Sequence, residues 1–250
     1  MKWMKITMMF CAAISLALPC TARATTVDTV DIVNTGYGAN DIVNVWGGDL
    51  AGEGVYTGVY MLDKTDGAGE GNIWPNGPIG GFCIELHEPA QDESLTYDVV
   101  MPEEVYNSYL GQAIGAEKAD YLRELWGRHF DPDWVGDGPF SSQQDSDAAA
   151  FATAVWEIIY EDLPQSPLEW DVTIDSTPCS GGFYAKNVDA TTANSWLHSL
   201  TGCGPKADLR AFVYDGAQDY LVQVPEPATI ALFGIGGVLS LLRKRKIAQI

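Results

Sequence analysis

The sequence predicts an α+β body, and three observations point there. Stretches between Val27 and Met101 alternate apolar and polar residues with the period of two that belongs to strands. From Pro102 to Tyr160 the apolar residues recur at helical spacing instead. Two further alternating stretches, Leu209–Tyr214 and Tyr220–Val224, return the chain to strands.

Between Val27 and Trp46 two strands are expected, Val27–Val33 and Asp41–Trp46, punctuated by Gly36, Gly38, Gly47 and Gly48. Gly54–Leu62 alternates as a third strand. Asp63–Pro78 reads as a loop rich in Gly, Asp, Asn and Pro, and its acids Asp63, Asp66 and Glu70 do not have the spacing of a calcium loop. Gly81–His87 is the next strand. A period of two places Phe82, Ile84 and Leu86 toward the core and Cys83, Glu85 and His87 on the opposite face. Leu95–Met101 is a further strand.

Pro102, Glu103 and Glu104 have the composition of a helix start, with proline and acids in the first turn. Glu117–Arg128 is a second helix whose apolar stripe is Leu122, Leu125 and Trp126. Asp131–Gly138 is a loop. Asp145–Tyr160 is the most apolar helix of the body, with Asp145 or Ser146 as cap, and is expected to be buried on several sides. Leu168–Ile174 alternates as a strand, and Ala190–Leu200 is a last helix with Ala193, Trp196, Leu197 and Leu200 inward.

The formal charge is -20 over 250 residues, although Lys2, Lys5, Arg23 and Arg243 to Lys246 all lie near the chain ends. The body between them is therefore more acidic still. Such a surface repels nucleic acid, fits a soluble extracellular protein and attracts divalent cations. Neither a P-loop nor the G-x-S-x-G, H-E-x-x-H or C-x-x-C patterns occur. The three histidines are too few for a His-rich metal site, and with none of these patterns present no metal, no cofactor and no enzyme activity are expected.

Both ends look processed. Lys2 and Lys5 precede an apolar run, Ile6–Leu18, and Ala22-Arg23-Ala24 supplies a small-residue cleavage site. Residues 1–24 are thus a secretory signal for signal peptidase, which takes Cys11 and Cys20 with it. Residues 25–223 form one body, long enough to bury a core. Residues 224–246 open with Val224-Pro225-Glu226-Pro227, continue through an uncharged apolar run at 228–242 and close on Arg243, Lys244, Arg245 and Lys246. Spanning a bilayer takes about 20 apolar residues, so this shorter run crosses only with bilayer thinning or snorkelling cations. The basic cluster is a stop signal that prefers the cytoplasm. The prolines on either side of Glu226 keep that peptide extended and accessible.

Tripeptide, apolar run and basic cluster in this order resemble the PEP-CTERM sorting signal of Gram-negative surface proteins. The resemblance implies an exosortase-type membrane protease as partner and Pro225, Glu226 and Pro227 as the sorting motif. It implies export through the inner membrane, transient anchoring by the C-terminal helix, and then the cell surface or extracellular matrix. Membrane contact is expected only through this tail.

Three cysteines are left to the body, Cys83, Cys179 and Cys203. In an oxidising compartment pairs form, and Cys179 and Cys203 bracket the last helix in glycine-rich loops. A Cys179–Cys203 disulfide is expected, with Cys83 left as the candidate reactive thiol. On an extended strand Cys83 and His87 lie roughly 13 Å apart, so a secreted cysteine hydrolase would need another base, such as His129 or His198.

The segment Gly81-Phe82-Cys83-Ile84-Glu85-Leu86, the helix from Ala149 to Tyr160 and the segment Ala193–Leu200 resemble the Cys-Gln thioester domains of bacterial surface proteins. That resemblance implies a β-rich barrel or sandwich with a helical insertion. It also implies a helix glutamine that condenses with the strand cysteine, at the position that Ala152 occupies here. The expectation is a degenerate, non-catalytic adhesion or matrix domain with an unidentified surface or matrix ligand. Two alternatives stay open: a covalent adhesin in which Gln143 or Gln144 forms the thioester with Cys83, and a secreted cysteine hydrolase.

Overall fold

A computed structural model describes residues 27–174 and 182–226. The signal segment 1–24, Pro227, the apolar run 228–242, the cluster Arg243–Lys246 and Cys179 lie outside the described residues. In chain order the elements are β1 Thr29–Gly47, β2 Leu50–Ala68, β3 Gly77–Cys83, β4 Leu95–Val100, β5 Tyr106–Asn107 and β6 Gln112–Ala113. They continue with α1 Ala116–His129, α2 Ser142–Tyr160, β7 Tyr184–Lys186, α3 Ala190–His198, β8 Leu209–Tyr214 and β9 Ala217–Gln223.

The large sheet runs β2-β3-β9-β8-β4-β1-β7, and β1 pairs with β2 as well. Thr29 faces Ala68 across one edge of β1 and Asp98 across the other. The strands β1, β2, β3, β9, β8 and β4 therefore close into an antiparallel barrel, and β7 joins β1 further along, at Asn44–Trp46. Helices α1 to α3 are all inserted between β4 and β8. The result is the α+β fold that the sequence predicts, a β-rich barrel with a helical insertion.

The two strands expected between Val27 and Trp46 are one strand of 19 residues. Register shifts at Asn34/Gly36 and Tyr37/Asn40 absorb the glycines as bulges. A bulge bends a strand and raises its twist without ending it. Gly36 has a φ of 128°, and a Cβ on Gly58 of the facing strand would lie 2.3 Å from the Ala39 carbonyl. The expected Asp63–Pro78 loop is also shorter in fact. Pairing with β1 carries β2 on to Ala68, and β3 starts at Gly77.

Three other expectations are corrected. The helix start at Pro102 is a single 3-10 turn, Pro102–Glu104. The following Val105 is extended and buried, which ends the helix before it can propagate. Leu168–Ile174 is a 3-10 turn, Pro167–Glu169, followed by a side-chain-stabilised turn. The Asp171 carboxylate accepts from Thr173 N at 3.0 Å, and Asn194 Oδ1 accepts from Val172 N at 3.0 Å. Such local bonds give the backbone an alternative to a sheet ladder. Helix α2 begins earlier than expected, because Ser141 and not Asp145 or Ser146 is the cap. Ser141 Oγ accepts from Gln144 N at 3.2 Å, and Gln144 Oε1 accepts from Ser141 N at 3.0 Å. This reciprocal pair is a capping box.

From Ala148 to Tyr160 every residue of α2 is buried. Its near-uniform apolar surface is what a helix needs to contact the barrel on one side and other helices on the rest. Phe151 is the junction: its ring lies 4.8 Å from Phe82 of β3, 5.5 Å from Trp126 of α1, and 6.3 Å from Trp196 of α3. Removing a buried aromatic costs the lost burial plus the cavity left behind. Phe151→Ala is expected to lower stability by about 3–5 kcal/mol, read as a lower midpoint in urea denaturation with an unchanged slope.

Candidate functional site

The barrel has one end where β3 stops and the chain leaves the sheet. Cys83 pairs with Tyr220 in the ladder, and Ile84 N donates to the Asp219 carbonyl at 3.1 Å. Beyond that the chain turns away, so the alternation expected through His87 breaks. Cys83, Ile84, Glu85 and Leu86 are all buried. Helix α2 holds the turn in place: Trp156 Nε1 donates to the Cys83 carbonyl at 2.9 Å, and Leu86 N donates to Tyr160 Oη at 2.9 Å. Gln218 Nε2 donates to the Glu85 carbonyl at 2.9 Å.

The Cys83 thiol donates to the Glu85 carbonyl at 2.7 Å. Burial pushes it up to about 12. Desolvation disfavours the thiolate, so the sulfur stays protonated and poorly nucleophilic at neutral pH. Among the described residues no histidine is hydrogen-bonded to it. His87 Nε2 lies 2.9 Å from Glu85 Oε1 and 2.7 Å from Ser108 Oγ. His129 Nε2 faces Ser199 Oγ at 2.8 Å, and His198 Nε2 faces the Trp170 carbonyl at 2.8 Å.

Gln143 and Gln144 are not brought to Cys83 either. They lie in the exposed first turn of α2, where Gln143 Nε2 donates to Asp147 Oδ1 at 2.8 Å and Gln144 Nε2 to the Asp133 carbonyl at 3.2 Å. Because the cap is Ser141, these residues are fixed in the helix and are not free to fold back. Gln144 is about 12 Å along the axis from Ala152 at 1.5 Å per residue. Cys203 is exposed and has no disulfide partner among the described residues. Its expected partner Cys179, and with it the Cys179–Cys203 pairing, lies outside the described residues.

Two open clefts meet at this end of the barrel. One, of about 480 Å³, is lined by Tyr37, Tyr56, Tyr60, Cys83, Trp156 and Gln218, among others. Tyr37 and Tyr56 stack at 4.7 Å on its exposed rim, and Tyr60 meets Tyr37 edge-on at 5.1 Å. The other cleft, of about 710 Å³, is acidic and includes Asp98, Glu104, Asp215 and Asp219. Glu85 and Glu88 line both. Burial, then the charges of Asp219, Glu88 and Asp215, push the Glu85 carboxyl up to about 8. Burial also pushes Asp219 up to about 7, against the stabilising Tyr214 N–H and with Glu88 adding to the rise.

Glu85, His87 and Glu88 have ligand atoms that all lie within 4.8 Å of one another. They are the described residues placed to hold a metal ion. Glu85 and His87 were legible as neighbours on one strand face. Glu88 and Asp219 were not, because they converge only after the chain turns. The run Glu85-Leu86-His87-Glu88 was the available signal.

At the opposite limit of the body, β9 is clamped before it leaves the barrel. Trp74 Nε1 donates to the Gln223 carbonyl at 2.9 Å, and Trp126 Nε1 donates to Gln223 Oε1 at 2.9 Å. Pro225 and the exposed Glu226 follow at once. Residues 223–246 match the PEP-CTERM protein-sorting motif. The chain carries a PEP-CTERM sorting signal. It is thereby an exported, surface-sorted protein, processed by the membrane protease exosortase. No curated protein and no solved structure matches the chain. Among the described residues no helix is long and apolar enough to cross a membrane. The expected anchor at 228–242 lies outside them.

Cys83 in the folded protein is expected to resist iodoacetamide at mildly alkaline pH and to react once the chain is unfolded. Intact mass should show no loss of ammonia. A mass short by one ammonia and restored by methylamine would establish a thioester instead.

Proposed function

We propose that this PEP-CTERM protein is a non-catalytic adhesion or extracellular-matrix component that holds its ligand in the tyrosine-rimmed cleft. The observation that supports this most is the stacked Tyr37–Tyr56 pair on the rim of an open cleft in a surface-sorted chain. Rigid aromatic rings give large contact area at low entropic cost. A cleft that combines aromatic and aliphatic walls with placed polar groups, here Gln218, Glu85, His87 and Glu88, has the ingredients of a binding site. The buried, protonated Cys83 and the alanine at position 152 favour non-covalent binding over acylation. The ligand is a surface or matrix component of the host.

The test is co-sedimentation of the purified protein with extracellular matrix from its native host. Tyr37→Ala combined with Tyr56→Ala is expected to weaken binding by about tenfold, or ~1.4 kcal/mol, with little change in thermal stability. Equal binding by the double variant would remove the cleft from this role.

Sorting has its own readout. Protein released by the native host is expected to end near Pro225, and Glu226→Ala is expected to retain the membrane tail. Peptides from Leu232 to Leu242 in the released wild-type form would contradict tail removal.

A further inference from the structure

We propose that Glu85, His87 and Glu88 form a binding site for one divalent transition cation of the zinc type at the barrel mouth. Their ligand atoms already lie within 4.8 Å of one another. A zinc ion takes imidazole nitrogen and carboxylate oxygen at about 2.0–2.2 Å, so small side-chain rotations bring all three into range.

The set is built on rigid supports. Tyr160 and Gln218 hold the backbone at Leu86 and Glu85, and Glu88 Oε2 accepts from Gly216 N at 3.0 Å, which orients that carboxylate. Ser108 Oγ, 2.7 Å from His87 Nε2, steadies the ring and leaves Nδ1 as the nitrogen open to an ion. Sites fixed by packed elements and outer hydrogen bonds keep the geometry that a metal requires.

Two further observations favour a cation here. The Glu85 side chain is only 10% exposed, and among the described residues its carboxylate pairs only with His87, within the set. The lysine and arginine ion pairs among the described residues all involve other acids. A buried carboxylate without a cationic partner is costly. His87 Nδ1 is also buried, with no hydrogen-bond partner among the described residues. Asp219 and Asp215 add negative charge nearby.

The donor types select the ion. Calcium takes 6–8 oxygen ligands, whereas an imidazole with two carboxylates suits a transition cation. Three protein ligands leave a fourth position open. Because Glu85, His87 and Glu88 line the tyrosine-rimmed cleft, that position adjoins its space. The shortage of histidines noted in the sequence excludes only a His-rich set. This inference does not depend on what ligand the cleft binds.

The test is isothermal titration of the full chain, purified in detergent without a histidine tag and stripped with chelator. Zinc chloride is expected to bind at one ion per chain, manganese more weakly, and calcium not at all at millimolar concentration. His87→Ala and Glu88→Gln are each expected to weaken zinc by about tenfold or more. Cys203→Ser is expected to leave it unchanged. Glu88→Gln decides the matter if His87→Ala fails to fold, since Glu88 is half-exposed and its amide oxygen can still accept from Gly216. Absence of zinc binding by the folded wild-type chain, zinc binding unaffected by Glu88→Gln, or tighter binding of calcium than of zinc would each overturn the assignment.

Discussion

Barrel closure rests on one strand that is paired along both edges. β1 is hydrogen-bonded to β2 over almost its whole length while its first residues also pair with β4. A sheet closed in this way has no free edge there, which removes the usual route to edge-to-edge association. The bulges at Gly36 and around Tyr37–Asn40 let so long a strand bend around the barrel. The Asn40 amide, beside the second bulge, donates to Asp145 Oδ1 at 3.2 Å, so the bend is tied to the start of α2.

Helix α2 then determines what happens at the barrel mouth. Trp156 and Tyr160 take up backbone groups of Cys83 and Leu86 that would otherwise continue a ladder. Buried backbone groups must be paired somewhere, and here the partners come from the helical insertion. As β3 ends, the direction of the chain changes and Glu85, His87 and Glu88 gather in one place. The same event buries Cys83 against a carbonyl acceptor and raises the pKa of its thiol. Acidic grouping and buried thiol thus have a single structural cause.

The body and the sorting signal are joined with almost no slack. Gln223 is fixed by two tryptophan N–H groups, and the proline motif starts two residues later. Beyond Gln223 the described chain, Val224 to the exposed Glu226, forms neither strand nor helix. Pro225 reinforces this, since the residue before a proline is held extended and the ring cannot extend the ladder.

The sequence by itself determined the α+β class, the three helices, the sorting signal and most strands, because each of these is written in local periodicity or local motif. The helix from Ala190 and the strand at Leu209 needed nothing beyond spacing and burial. Expectations failed where non-local partners decided the outcome. Gly36 and Gly38 look like strand breakers until a facing strand turns them into bulges, and the Pro102 turn has a helix start but a buried extended Val105 after it. Leu168–Ile174 alternates correctly, yet Asp171 and Asn194 capture its backbone. Of the candidate site, Cys83, Glu85 and His87 were visible as a strand pattern. Their separation into a buried thiol and a carboxylate–imidazole group was decided only by tertiary structure. It depends on where β3 ends, and that is fixed by side chains of α2 more than seventy residues away in sequence.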